Sequence, residues 1–220
     1  MKTRNLLGAL LIATSSFLAC NNDPPIEFSQ ESRPRISELE KRLAPYYARI
    51  YVMFGLEEQE QVLILNGKEQ EMYLVGRELG WPKIYKTFEI STSRNGFGNI
   101  KNSYKTPLGI LRVKQIYGKG APIGTMFHDT YNTGRRVRIY TNCSPRKKSL
   151  MTTRVIELEG VEPSNLNTFD RSIYMHGASN EASIGSPNSL GCFRMMNQDM
   201  ADLADNVLRP GTYVYSLEEI

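Results

Sequence analysis

From Met72 onwards the chain is cut into short runs of β-branched and aromatic residues: Met72–Val75, Ile84–Ser91, Leu108–Ile116, Val137–Thr141, Arg154–Leu158 and Ser172–Met175. Runs of this length, bounded by turn residues, read as strands, and strands must pair. The fold class this imposes is mostly β. Gly and Asn gather between the runs, as in Asn95-Gly96-Phe97-Gly98-Asn99, Gly118-Lys119-Gly120 and Asn132-Thr133-Gly134, where a tight reversal asks for positive φ. The pattern changes at Asn197, the expected N-cap of an amphipathic helix with Met200, Leu203 and Val207 on its apolar side. Pro210-Gly211 ends that helix, and Thr212–Tyr215 reads as a last strand. Ahead of the β region, Ile36, Leu39 and Leu43 recur at helical spacing, which predicts a short helix beginning near Pro34 and stopping before Pro45. Residues 72–220 are thus expected to form one folded domain, preceded by a segment, 35–71, whose role is not legible.

The first residues read differently. Lys2 and Arg4 precede an apolar run from Leu6 to Leu18 that ends in Ala19-Cys20, the layout of an export signal over residues 1–19. That run falls short of the roughly 18 to 20 residues a bilayer span needs, and Asn21-Asn22-Asp23-Pro24-Pro25 follows at once. Residues 20–34 are polar and proline-containing, as a flexible tether would be. Phe17-Leu18-Ala19-Cys20 resembles the lipobox of bacterial lipoproteins, with Phe17 where that pattern usually carries leucine. The resemblance implies diacylation of Cys20, attachment to a membrane through that lipid, and a periplasm-facing place in the cell envelope. Without residues 1–19 the chain holds 25 basic and 23 acidic residues, a charge of +2. So even a balance gives no argument for nucleic-acid binding and none is expected, and Arg135-Arg136-Val137-Arg138 and Arg146-Lys147-Lys148 read as solvated edges or, alternatively, as groups that help attract an anionic substrate.

Chemistry concentrates in Tyr174-Met175-His176-Gly177 and, sixteen positions after His176, in Ser189-Leu190-Gly191-Cys192-Phe193-Arg194. A thiol attacks a carbonyl only as a thiolate, and an imidazole can take its proton and return it to a leaving amine. Cys192 and His176 are the candidate nucleophile and base. Gly191 lets the backbone turn tightly before the nucleophile, placing amide N–H groups near a developing oxyanion. Arg194 supplies a fixed positive charge that can lower the thiol pKa, hold a substrate carboxylate or pin the loop. Two blander readings of Cys192 stand beside this one: a buried structural cysteine, or a disulfide with Cys143. His128, next to Asp129, reads as a surface group, and Tyr104, Tyr117, Phe127 and Tyr131 as core more than as cleft lining. Neither cysteine has enough companion ligands for zinc, so no metal and no cofactor is expected.

His176-Gly177 followed by Ser189-x-Gly191-Cys192-x-Arg194 resembles the signature of the YkuD-type L,D-transpeptidase family, over a region from about Met72 to Tyr215. Thr106-Pro107-Leu108-Gly109 is similar to that family's Thr-Pro-x-Gly turn, and Asn197, Asp199, Leu203, Gly211, Thr212 and Val214 match its C-terminal helix and strand. The resemblance implies a β-sandwich-like catalytic domain acting on peptidoglycan stem peptides. Cys192 would be the acylated nucleophile, His176 the base and Gly177 the residue whose carbonyl orients the imidazole. Ser189, Gly191 and Arg194 fill the remaining signature positions, on the substrate side. The implied reaction attacks the carbonyl before the terminal D-Ala of a tetrapeptide and passes the acyl group to an amine; with water as acceptor it becomes an L,D-carboxypeptidase. Phe193 stands where the family usually has a smaller β-branched residue. A non-catalytic peptidoglycan-binding lipoprotein is the alternative from another class. Oligomeric state is not legible.

Overall fold

A computed structural model describes residues 36–142 and 149–220, all within one compact unit, Arg35–Ile220. Helix α1 (Glu38–Phe54) opens on Ser37, whose hydroxyl accepts from the Glu40 N–H at 3.2 Å while the Glu40 carboxylate accepts from the Ser37 N–H at 2.8 Å. This reciprocal pair is a capping box. Gly55, at φ 62°, closes the other end. The helix runs straight through Pro45, where it was expected to stop. A proline inside a helix costs about 3 kcal/mol or more. Leu43, Tyr47 and Ile50, all buried on one stripe, outweigh it. The expected start near Pro34 lies outside the described residues.

Among the described residues ten strands follow: β1 (Val62–Asn66), β2 (Glu71–Glu78), β3 (Trp81–Ser91), β4 (Gly109–Tyr117), β5 (Thr125–His128), β6 (Tyr131–Arg136), β7 (Met151–Gly160), β8 (Tyr174–Ala178), β9 (Phe193–Met195) and β10 (Tyr213–Leu217). Helix α2 (Asn197–Asn206) lies between the last two and ends before Pro210-Gly211. The strands form one sheet in the order β4-β10-β1-β2-β3-β9-β8-β7-β5-β6, and a further β4–β7 pairing folds it over on itself. The fold is mostly β, as expected, with few helices. Four strands were not anticipated: β1, β5, β6 and β9, and Asn132-Thr133-Gly134, expected as a turn, lies inside β6. The run Val137–Thr141 is not a strand, and pairing falls one segment earlier, on Tyr131–Arg136. The sheet also begins at Val62, ahead of Met72.

Alternation along the strands separates two cores. Leu63, Leu65, Met72 and Leu74 join Phe88, Leu111, Ile156, Met175, Phe193, Met195 and the α2 residues Met200 and Leu203 inside the folded-over sheet. Val62, Ile64, Tyr73 and Val75 point the other way and meet Leu43, Tyr47 and Ile50 of α1. Phe193, bulky for its place, is fully buried in the first core. Among the described residues no helix is long and apolar enough to cross a membrane.

Candidate active site

Strands β8 and β9 are parallel neighbours, with Met175 opposite Phe193, His176 opposite Arg194 and Gly177 opposite Met195. Side chains alternate across a sheet. Met175, Phe193 and Met195 therefore enter the inner core, which leaves His176 and Arg194 on the other face. Cys192 stands just before β9 and packs against the Phe127–Val155–Tyr174 cluster on that side. The parallel pairing of β8 and β9 thus sets the two candidate residues, sixteen positions apart in the chain, at neighbouring strands.

His176 is buried, and its Nδ1 lies 2.8 Å from the Gly177 carbonyl oxygen. A carbonyl can only accept, so Nδ1 carries the hydrogen and Nε2 keeps its lone pair. Burial pushes the imidazole pKa down to about 4; the Gly177 carbonyl pulls it up and the Arg194 charge adds to the lowering. Neutral imidazole is the resting state. Gly177 is tightly seated: a Cβ there would stand 2.5 Å from Asn197 Oδ1 and 2.8 Å from the Thr152 carbonyl oxygen.

Cys192 carries a free thiol, half-buried, whose Sγ donates to the Ser172 carbonyl across 3.7 Å. Burial raises its pKa, while the Tyr174 backbone N–H and the Arg194 charge act in the opposite sense and the Asp129 carboxylate raises it further. The resting pair is thiol plus neutral imidazole. The alternative Cys143 disulfide falls on a residue outside the described ones, as do Arg146-Lys147-Lys148, Cys20 and the tether 20–34.

The signature positions shape the loop. Ser189 Oγ donates to the Cys192 carbonyl at 2.6 Å and accepts from the Gly191 N–H at 3.2 Å, closing the turn from within. That hydrogen bond corrects the expectation that the Gly191 amide faces an oxyanion, because its hydrogen is already taken. Gly191 sits at φ 120°, and a Cβ there would approach Ile173 Cδ1 to 2.9 Å. Only glycine suits both demands. Thr106 of the Thr-Pro-Leu-Gly segment, fully buried, donates to the Gly191 carbonyl at 3.2 Å and accepts from the Ser93 N–H at 2.9 Å. Arg194 Nη1 donates to the Asn188 carbonyl at 3.0 Å, and its buried Nε has no hydrogen-bond partner among the described residues.

Sequence reasoning left several site residues out. Asp129, on the β5–β6 hairpin, raises the thiol pKa through its carboxylate, and Phe127, read as core, is buried in the cluster that Cys192 packs against; the hairpin's four-residue first strand gave too short a signal. Tyr174 was quoted only as a neighbour of His176. Asn197 is the first residue inside α2, whose N-cap is Met196. Its amide is buried under the His176 strand instead, a placement no local pattern announces. His128 is exposed at the hairpin tip, 3.5 Å from Asp129, and Tyr104 and Tyr131 are exposed too.

Residues 60–215 match the family model described as the L,D-transpeptidase catalytic domain. Among solved structures, the chain is similar to a protein from Bdellovibrio bacteriovorus at 12% identity and TM-score 0.43, covering 73% of this chain and 48% of that one. It is similar to an L,D-transpeptidase from Xylanimonas cellulosilytica at 17% identity and TM-score 0.42, covering 78% and 69%. A third is the helical cell shape determining protein Pgp2 from Campylobacter jejuni, at 18% identity and TM-score 0.42, covering 74% and 49%. The chain spans about half the length of the first and third of these. No curated protein matches.

Proposed function

The chain belongs to the L,D-transpeptidase catalytic domain family, and on that premise we propose that it is a lipid-anchored envelope enzyme acting on peptidoglycan tetrapeptide stems through a Cys192 thioester. The observation that supports the reading is the β8–β9 pairing just after Cys192, together with a His176 ring whose Nδ1 faces the Gly177 carbonyl and whose Nε2 is left available as a base.

Cys192 Sγ attacks the carbonyl before the terminal D-Ala as its proton passes to His176 Nε2. A carbon–sulfur bond forms, the peptide C–N bond breaks, and the imidazolium returns its proton to the departing D-Ala amine. The Gly177 carbonyl, holding Nδ1–H, keeps the ring aimed through both transfers. Burial serves the cycle, because an imidazolium in this site is high in energy and gives its proton up readily. Arg194, with exposed Arg94 close enough to feel its charge, presents a positive edge to an anionic peptide. An acceptor amine then attacks the thioester and regenerates the thiol; water in its place would make the enzyme a carboxypeptidase. Attachment through Cys20 would hold the site near the wall on its periplasmic side.

Intact-protein mass spectrometry after incubation with a purified tetrapeptide muropeptide tests this. The expected result is an adduct on Cys192, absent in Cys192→Ala, followed by a cross-linked or trimmed product whose mass separates transfer from hydrolysis. A folded protein that gives neither adduct nor product would favour the non-catalytic binding role.

A further inference from the structure

Strand β7 carries two residues more than its partner β8 at the level of the histidine. Thr152 pairs with Gly177 and Val155 with His176, so Thr153 and Arg154 are left over as a bulge. Bulges of this kind re-aim neighbouring side chains and are common beside active sites. Thr153 has φ 72°, a region that a β-branched residue rarely enters, and it is fully buried. Such a conformation persists only where the surroundings over-determine it.

What determines it is Asn197. Its Oδ1 accepts from the Thr152 hydroxyl at 2.7 Å and also from the Thr153 hydroxyl. Its Nδ2 donates to the Ala178 carbonyl at 2.7 Å and to Glu181 Oε1 at 2.7 Å, and the same carboxylate oxygen accepts from the Asn197 N–H at 2.6 Å. Two acceptor and two donor places are all filled, at 2% exposure. The Thr153 hydroxyl also accepts from the Gly124 N–H at 3.1 Å, which ties the segment leading into the β5–β6 hairpin to the same point. The amide lies against Gly177 so closely that no Cβ could come between them.

We infer that Asn197 is a positioning residue for His176: by clamping the β7 bulge to Ala178 it fixes the Gly177 carbonyl in the orientation that holds the imidazole Nδ1–H. Its side chain bonds to Thr152, Thr153, Ala178 and Glu181, and it acts on the imidazole only through the Gly177 backbone. Its effect on turnover rests on His176 being the base of the proposed reaction; its effect on the ring does not. A saturated buried amide specifies one arrangement, because any other leaves polar atoms unpaired at a cost.

The chain has two histidines, His128 and His176, so imidazole 15N NMR of the full chain reads the device directly, with exposed His128 as internal reference. In the unaltered protein His176 should show the single Nδ1–H tautomer. Asn197→Ala should give a mixture of tautomers with His128 unmoved, and should slow acylation by up to about 100-fold, the penalty a misplacement of around 1 Å can carry. Thr153→Ala, which removes one hydroxyl, should shift the ring part of the way, and Thr153→Ser, which keeps it, should restore the single tautomer. That pair carries the test if Asn197→Ala does not fold. Folded variants with lower melting temperatures but an unchanged His176 tautomer would overturn the inference and reduce Asn197 to a structural role. Failure of the unaltered protein to form an adduct would speak against the proposed reaction alone.

Discussion

Burial of His176 makes two separable predictions about protons. The imidazole pKa falls from an ordinary 6.5 to about 4 in the folded chain. Between those values the unfolded chain binds a proton that the folded one refuses, so stability is lost as pH falls from 6.5 towards 4. The shift corresponds to roughly 3 kcal/mol. Denaturant titrations at about pH 7 and about pH 4.5 should show that loss, and His176→Asn should lack it. The acid limb of acylation should likewise lie near pH 4, because a base works only while unprotonated; an acid limb near 6.5 would mean the ring is open to water. Cys192, His176 and Gly177 were legible in the sequence because their chemistry restricts residue type and order. The positive φ of Thr153 was not, since nothing about a threonine between Thr152 and Arg154 marks it as strained.

At the scale of elements, α2 is fastened to the β7 bulge at both ends. Asn197 holds Thr153 at one end. At the other, Asp205 accepts from Arg154 Nε at 2.8 Å and from Nη2 at 2.7 Å, while Arg154 Nη1 donates to the Thr153 and Ala121 carbonyls at 2.6 Å each. Arg154 is 3% exposed, so Asp205→Ala would leave a buried cation without its counter-charge. The expected cost is about 3–5 kcal/mol, read as a fall in melting temperature of roughly 10 °C. The Arg154 guanidinium also holds the Asp205 carboxyl below its usual range, chiefly through its hydrogen bonds. The pair's contribution is therefore present above the ordinary carboxylate pKa and is lost as pH drops through the lowered one. Which elements could be read ahead of time follows the same physics. Strands β3 and β4 are long and have mixed faces, so they stood out. Strand β1, Val62-Leu63-Ile64-Leu65-Asn66, is buried on both faces and shows no alternation, and β9 has three residues. Helix α1 was cut short at Pro45 because the packing that carries it onward comes from β1, β2 and β10, which no local window contains.

Over the whole molecule, the sheet serves as a wall between two cores with different duties. The inner core backs the face that carries the candidate site: Met175, Phe193 and Met195 anchor β8 and β9 from behind, so the register of His176 against Arg194 depends on it. The outer core, under α1, supports β1, β2 and β10 and touches none of the residues around Cys192. Stability and chemistry should therefore separate by side. Leu43, fully buried under α1, is the place to test it. Leu43→Ala should cost about 2–5 kcal/mol through lost burial and the cavity left behind. Its melting temperature should fall accordingly, while the acylation rate per folded molecule stays within about twofold of the unaltered protein, since Leu43 and Cys192 belong to clusters that share no residue and independent sites act nearly additively. Rates corrected for folded fraction by circular dichroism check this. A Leu43→Ala protein that is folded but acylates tenfold more slowly would show that α1, lying ahead of the recognisable sheet, is coupled to the catalytic face through β1 and β2.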